Sequence, residues 1–141
     1  MFVVFDESKY PVIRVNFSGV VRNESDFNEF TNKWMELYSR KSNFTFIFDT
    51  RDMGIMGPKY CYKMALFIKH LKRQPIQYLE KSIIIVSNRY IRFLLWLIFK
   101  IQKPVAPVYI TDIYQDIFIN MLIDNIEQGL NIPECVEIVK P

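Results

Sequence analysis

Ser82-Ile83-Ile84-Ile85-Val86 is a short run in which both parities of the last four residues are β-branched and apolar. A strand faces two ways with a period of two, so such a run buries both of its faces. That is the pattern of a central strand in a parallel sheet, with layers on either side. The flanking sequence supplies the layers. Upstream, Pro58 suits the first position of a helix. Tyr60, Cys61, Met64, Phe67, Ile68 and Leu71 follow helical spacing behind it, and Pro75 ends the pattern. Ile76–Glu80 reads as a further short helical turn. Downstream, Tyr90–Gln102 reads as a helix stopped by Pro104, and Val108–Ile110 as the next strand.

Toward the N-terminus, Phe2–Asp6 and Val12–Phe17 read as two strands joined by a turn through Glu7–Pro11. Ile13, Val15 and Phe17 alternate with Arg14, Asn16 and Ser18, so the second strand buries one face. Asn23, with Asp26 three residues on, signals a helix start, and Phe27, Phe30, Trp34, Leu37 and Tyr38 carry the helix to about Lys41. Phe44–Asp49 is the third strand, with Phe44, Phe46 and Phe48 on one side. At the other end, Asp112 with Gln115 predicts the cap of a helix over 113–128, ended by Gly129. The tail from 130 to 141 reads as extended, with Val136–Val139 against the body.

These elements predict an α/β fold: one domain, 1–141, with a five-stranded, mixed but mostly parallel sheet in the order β-β-α-β-α-β-α-β-α. The length suits one domain with a sizeable core, and half of the 141 residues are hydrophobic. The 19 isoleucines against 2 alanines, with many Asn, Lys, Phe and Tyr, are residues of A+T-rich codons, as in the genomes of some parasites and large DNA viruses. That bears on origin rather than function. No signal peptide is expected, because Phe2-Val-Val-Phe5-Asp6 lacks a basic start and a cleavage site. The longest apolar run, Phe93–Phe99, falls far short of the roughly 20 residues of a span. A cytoplasmic location and reduced thiols at Cys61 and Cys135 follow as expectations.

The charge is segregated. Residues 57–103 hold ten bases (Lys59, Lys63, Lys69, Lys72, Arg73, Lys81, Arg89, Arg92, Lys100 and Lys103) against one acid, Glu80. That stretch carries +9, and the rest of the chain −6. A fold that gathers this third on one side presents a basic patch to phospholipid headgroups, nucleic acid or acidic proteins. The plainer reading is a solvated surface that keeps the protein in solution. The aromatic residues are patterned for a core rather than for base stacking, which disfavours nucleic acid.

Most chemistry has no carrier. His70 is the only histidine and has no Cys or carboxylate cluster beside it, so neither a metal nor a cofactor is expected. There is no G-x-S-x-G, no P-loop and no G-x-G-x-x-G. Three candidate places remain. Asp49, Arg51 and Asp52 lie at the C-terminal end of the third strand, where ligands of parallel sheets bind. The two carboxylates could act as acid and base, or simply cap a loop. Gly57 opens a helix bearing Lys59 and Lys63 one turn apart, a candidate phosphate cradle together with Asp49 and Arg51, or an ordinary turn and cap. The helix over 90–102 is apolar nearly all round, with a narrow stripe of Arg92, Lys100 and Lys103 beside Trp96 and Phe99. One layer covers only one side of such a helix, so a membrane interface, a protein partner or a second copy of the chain would hide the other. Burial beneath the tail would do so as well.

The element order resembles the SpoIIAA-like fold of STAS domains and of the CRAL-TRIO (Sec14) lipid-binding domain. Two stretches carry the resemblance. Phe44-Thr-Phe-Ile-Phe-Asp49-Thr-Arg-Asp-Met-Gly54 is similar to the third STAS strand and its loop. Tyr90-Ile-Arg-Phe-Leu-Leu-Trp-Leu-Ile-Phe-Lys100-Ile-Gln-Lys-Pro104, followed by Val108-Tyr-Ile-Thr-Asp112, is similar to the aromatic helix, stop and strand of Sec14-like domains. Regulatory STAS domains carry a phosphorylated Ser or Thr where this chain has Gly57-Pro58-Lys59-Tyr60, so the resemblance implies no phospho-switch here. The chain also has no counterpart to the extra helical region and longer gate of full Sec14 proteins, so no large closed lipid pocket is expected. The resemblance implies a non-catalytic binding module that meets an anionic membrane or a protein partner. Its alternative is a small-ligand or lipid carrier with a cavity between sheet and helices. A hydrolase or transferase using Asp49 and Asp52 is the reading from another class.

Overall fold

The structure is a computed structural model that describes residues 2–141. It is an α/β fold with a mixed six-stranded sheet and four helices. The order is β1 (Val3–Lys9), β2 (Val12–Gly19), α1 (Glu24–Ser39), β3 (Phe44–Met53), α2 (Pro58–Lys72), β4 (Leu79–Ile85), α3 (Arg89–Ile101), β5 (Val108–Thr111), α4 (Asp116–Gln128) and β6 (Glu137–Val139). The strands lie side by side in chain order. β2 to β5 are parallel, and β1 and β6 close the two edges antiparallel.

Each parallel strand is added on the same side of the one before it. Crossovers of a single hand then place every connecting helix on the same face of the sheet. α1, α2 and α3 do so, and they bury Phe30, Trp34, Ile68, Leu94 and Ile98 against Phe44, Phe46 and Phe48 of β3. α4 leads into an antiparallel strand and lies on the opposite face, where Ile119, Leu122 and Ile123 pack on Ile47, Ile83 and Ile85. β4 is therefore buried on both sides, as its sequence predicts.

The larger core is a ladder of rings. Phe44 meets Phe46 at 5.0 Å between centroids, and Phe46 meets Phe48 at 4.7 Å. Trp34 stands edge-on to Phe46 at 4.9 Å. Tilted and edge-on pairs of this kind add to the burial itself.

The helix ends follow local chemistry. Asn23 caps α1 by accepting from the Asp26 N–H, and Asp26 in turn accepts from the Arg22 N–H. Asn88 caps α3 by accepting from the Ile91 N–H. Gly129 ends α4 with φ 69°, in the left-handed region that favours glycine.

Several boundaries differ from the sequence reading. A sixth strand, β6, pairs its Ile138 with Tyr109 of β5. β1 runs on to Lys9, because its pairing with β2 extends to Lys9 opposite Val12. β3 continues four residues past Asp49, because β2 keeps pairing with it at Ser18–Asp52 and Gly19–Met53. β4 starts at Leu79, where a helical turn was expected, since Leu79 pairs with Phe44. The cap predicted at Asp112 is not used. The Thr111 hydroxyl accepts from the Ile113 N–H instead, and α4 begins at Asp116 after Gln115, with no side-chain cap.

Candidate docking face and cavity

α3 has two unlike sides. Ile91, Leu94 and Ile98 are buried against the sheet, and Leu95, Leu97 and Phe99 are half-buried. The other side points outward. Phe93 is 52% exposed and Trp96 56%, and their rings stack at 5.8 Å with 25° between planes. Packed beside α3, α2 exposes Tyr62 and Leu66. Phe93 completes this pair and was missed in the sequence reading. Its spacing of three from Trp96 was the available signal, since such residues share a helix face. Phe99, predicted to lie beside Trp96, turns inward with the core.

Nine of the ten bases of the middle segment lie on or flank α2 and α3. The exception is Lys81, which β4 buries at 4% exposure, near Glu127 at 3.6 Å. Lys69, Lys72, Arg73, Arg89, Lys100 and Lys103 have no ion-pair partner among the described residues, and all six are exposed. Arg92 is different: it donates to Glu137 of β6 at 2.9 Å and so ties α3 to the tail. His70 is exposed on α2 among these bases.

Beneath the same two helices is a cavity of about 120 Å³. Rings of Phe17, Phe30, Trp34 and Phe48 form one wall, and Leu94, Leu95, Ile98 and Phe99 of α3 form another. Met53, Met56 and Met64 line it near the loop between β3 and α2. Thr50 and Ser82 are the hydroxyl residues of the lining, and the Thr50 hydroxyl is already used, donating to the Ile85 carbonyl at 2.7 Å. Trp34 keeps the one buried side-chain polar atom without a partner among the described residues, its indole N–H.

Asp49 and Arg51 lie on the opposite face, the α4 side. There Asp49 accepts from Arg14 at 2.7 Å and from the Arg51 side chain at 2.8–3.2 Å. The Arg51 guanidinium also lies 4.2 Å over the Tyr114 ring. Burial alone would raise the Asp49 carboxyl, but hydrogen bonds from Arg51 and Arg14 outweigh it and hold the group down at about 2. A carboxylate held ionised so far below neutrality is a weak base and has no proton to give near pH 7. Asp52 is exposed. Arg14 was absent from the sequence-level candidates, although its outward position on β2 placed it on the face of Asp49.

Gly57, Lys59 and Lys63 stand at the start of α2, on the other side of the sheet from Asp49 and Arg51, so these five do not form one cradle. Both lysines face Glu24 of α1, Lys63 at 2.5 Å and Lys59 at 3.5 Å. The Cys61 thiol is buried, and burial pushes its pKa up, which leaves it a poor nucleophile. Cys135 is exposed, and both cysteines are free. No group of three His, Cys, Asp or Glu among the described residues is arranged to hold a metal ion. No helix of the described residues is long and apolar enough to cross a membrane. Compared with known proteins, the chain matches no family model, no curated protein and no solved structure.

Proposed function

We propose that this chain is a non-catalytic binding module whose α2–α3 outer face docks on an anionic membrane surface. The observation that carries the reading is the exposed Phe93–Trp96 stack set among six unpaired bases. A tryptophan at a lipid interface buries its ring and keeps its N–H wet, and flanking lysines and arginines extend their stems over apolar surface toward phosphates. Each such base near an anionic surface contributes about 1 kcal/mol at physiological salt, and that contribution is screened as salt rises. A protein partner of acidic character is the competing occupant, and a second copy of the chain is the third. The succession of strands, with three helices on one face, supports reading the fold as SpoIIAA-like, of the STAS and Sec14 kind. The Asp49 corner reads as a fixed ion-pair network rather than as catalytic machinery.

Co-sedimentation tests the docking. Vesicles with a fifth phosphatidylserine should retain the protein at low salt, neutral vesicles should not, and salt near 1 M should release it. Light scattering of the free protein tests self-association: a dimer dispersed by Trp96→Asp, with no vesicle retention, replaces the membrane reading with a self-association one. Retention by neither vesicle type, from a monomeric protein, removes the membrane reading and leaves the acidic partner.

A further inference from the structure

We infer that the cavity between the sheet and helices α1–α3 is a binding site for a compact, neutral, apolar molecule, of the size of one aromatic ring or a comparably small branched hydrocarbon. Size sets the upper limit. The volume is about 120 Å³, and an engineered apolar cavity of roughly 150 Å³ stays dry and takes up benzene. A long acyl chain does not fit wholly within that space. The lining sets the chemistry. Among the described residues no charged side chain lines the cavity, and the Thr50 hydroxyl is committed to a backbone carbonyl, which leaves the Ser82 hydroxyl and the Trp34 indole N–H as neutral donors and no counter-charge for a carboxylate or phosphate. A neutral ring needs no counter-charge and gains contact with Trp34, Phe48 and Leu94 of the lining.

The way in is also marked. Met53, Met56 and Met64 are half-buried and line the cavity next to the loop between β3 and α2. Unbranched thioether side chains change shape at low cost, so this is the part of the wall that yields to an entering ligand. Leu95 and Phe99 of α3 are half-buried wall residues as well. The site stands apart from the docking face. It uses the inner side of α3, and its occupancy requires no membrane.

Benzene, toluene and octanoate, titrated into the full chain, test the inference. Benzene and toluene should raise the melting temperature with the concentration dependence of a single-site ligand, and should shift the methyl resonances of Leu94, Leu95 and Ile98. Octanoate should do neither. Leu95→Phe fills the space from α3, and Met53→Phe fills it from β3. Whichever variant retains the wild-type circular dichroism should bind benzene at least tenfold more weakly. If both variants misfold, the wild-type resonance shifts alone decide the question. The inference is overturned if benzene near its solubility limit leaves the melting temperature and those resonances unchanged. Octanoate binding more tightly than benzene overturns it too, as does unchanged benzene affinity in a folded, filled variant. Because none of these readings involves a vesicle, failure here leaves the docking proposal standing, and the reverse holds as well.

Discussion

The two faces of the sheet are covered in opposite styles. On one, three helices stand over a thick layer of rings, and the packing is generous enough to leave a cavity and to push Phe93 and Trp96 out into solvent. On the other, a single helix covers Ile47, Ile83 and Ile85, and the part of the sheet beyond it is closed by charge, with Asp49 held between Arg14 and Arg51. The same parallel strands supply both. β4 gives isoleucine to each side, while β3 gives Phe46 and Phe48 to one and Ile47 and Asp49 to the other. The apolar excess lies on the three-helix side, and so do the adaptable features. The single-helix side is small, fixed and polar at its margin.

The largest effect should appear on truncating a core residue of the three-helix face. Trp34→Ala removes the ring that bridges Phe30, Phe46, Phe48 and Phe67, and should cost about 3–5 kcal/mol in urea unfolding. A loss below about 1 kcal/mol would show that the cavity lets the three-helix side collapse around the gap. Asp49→Asn probes the charged margin. Its carboxyl sits near 2 against an ordinary 3.8, so its ionised form stabilises the fold above about pH 4, and that contribution is lost as pH falls toward 2. The lost stability should be about 2 kcal/mol. The wild type should weaken over that window, and Asp49→Asn should be weaker at pH 7 with a flatter slope below pH 4. Equal slopes would contradict the assigned network. Gly129→Ala forces a side chain into the left-handed turn that ends α4, and should cost about 1 kcal/mol, read as a lower urea midpoint. Trp96→Ala should have the smallest effect on folding, within about 0.5 kcal/mol, because more than half of that residue is in water. It should nonetheless weaken retention on anionic vesicles. A clear fall in stability would mean that the outer face of α3 is covered after all.

How much of this was legible in the sequence depends on the range of the forces involved. The Ile83–Val86 run, the Phe44–Phe48 alternation and the Asn23 and Gly129 helix ends are local patterns, and each was readable from a few neighbours. β6 was not. Three residues carry no usable alternation, and Glu137–Val139 becomes a strand only because β5 offers it an open edge. The extension of β3 through Thr50–Met53 runs through residues of modest strand propensity, and is fixed by pairing with β2. The candidate sites show the same division. A helix apolar nearly all round left open whether Trp96 is exposed or buried beneath the tail. The Arg14–Asp49 pair joins residues 35 apart across a parallel ladder, and no local pattern marks it. The cavity is a property of how rings and methionines fill space, which a sequence does not state.

Docking as proposed brings Trp96 to an anionic lipid surface. The chain has two tryptophans, Trp34 at 4% exposure and Trp96 at 56%, so a change in fluorescence on docking should come from Trp96. Phosphatidylserine vesicles at low salt should shift the emission to shorter wavelength, and brominated lipid should quench it. Both effects should vanish in Trp96→Phe and be reversed by salt near 1 M. Emission that ignores anionic vesicles, or a shift that persists in Trp96→Phe, would mean that Trp96 does not meet the lipid surface.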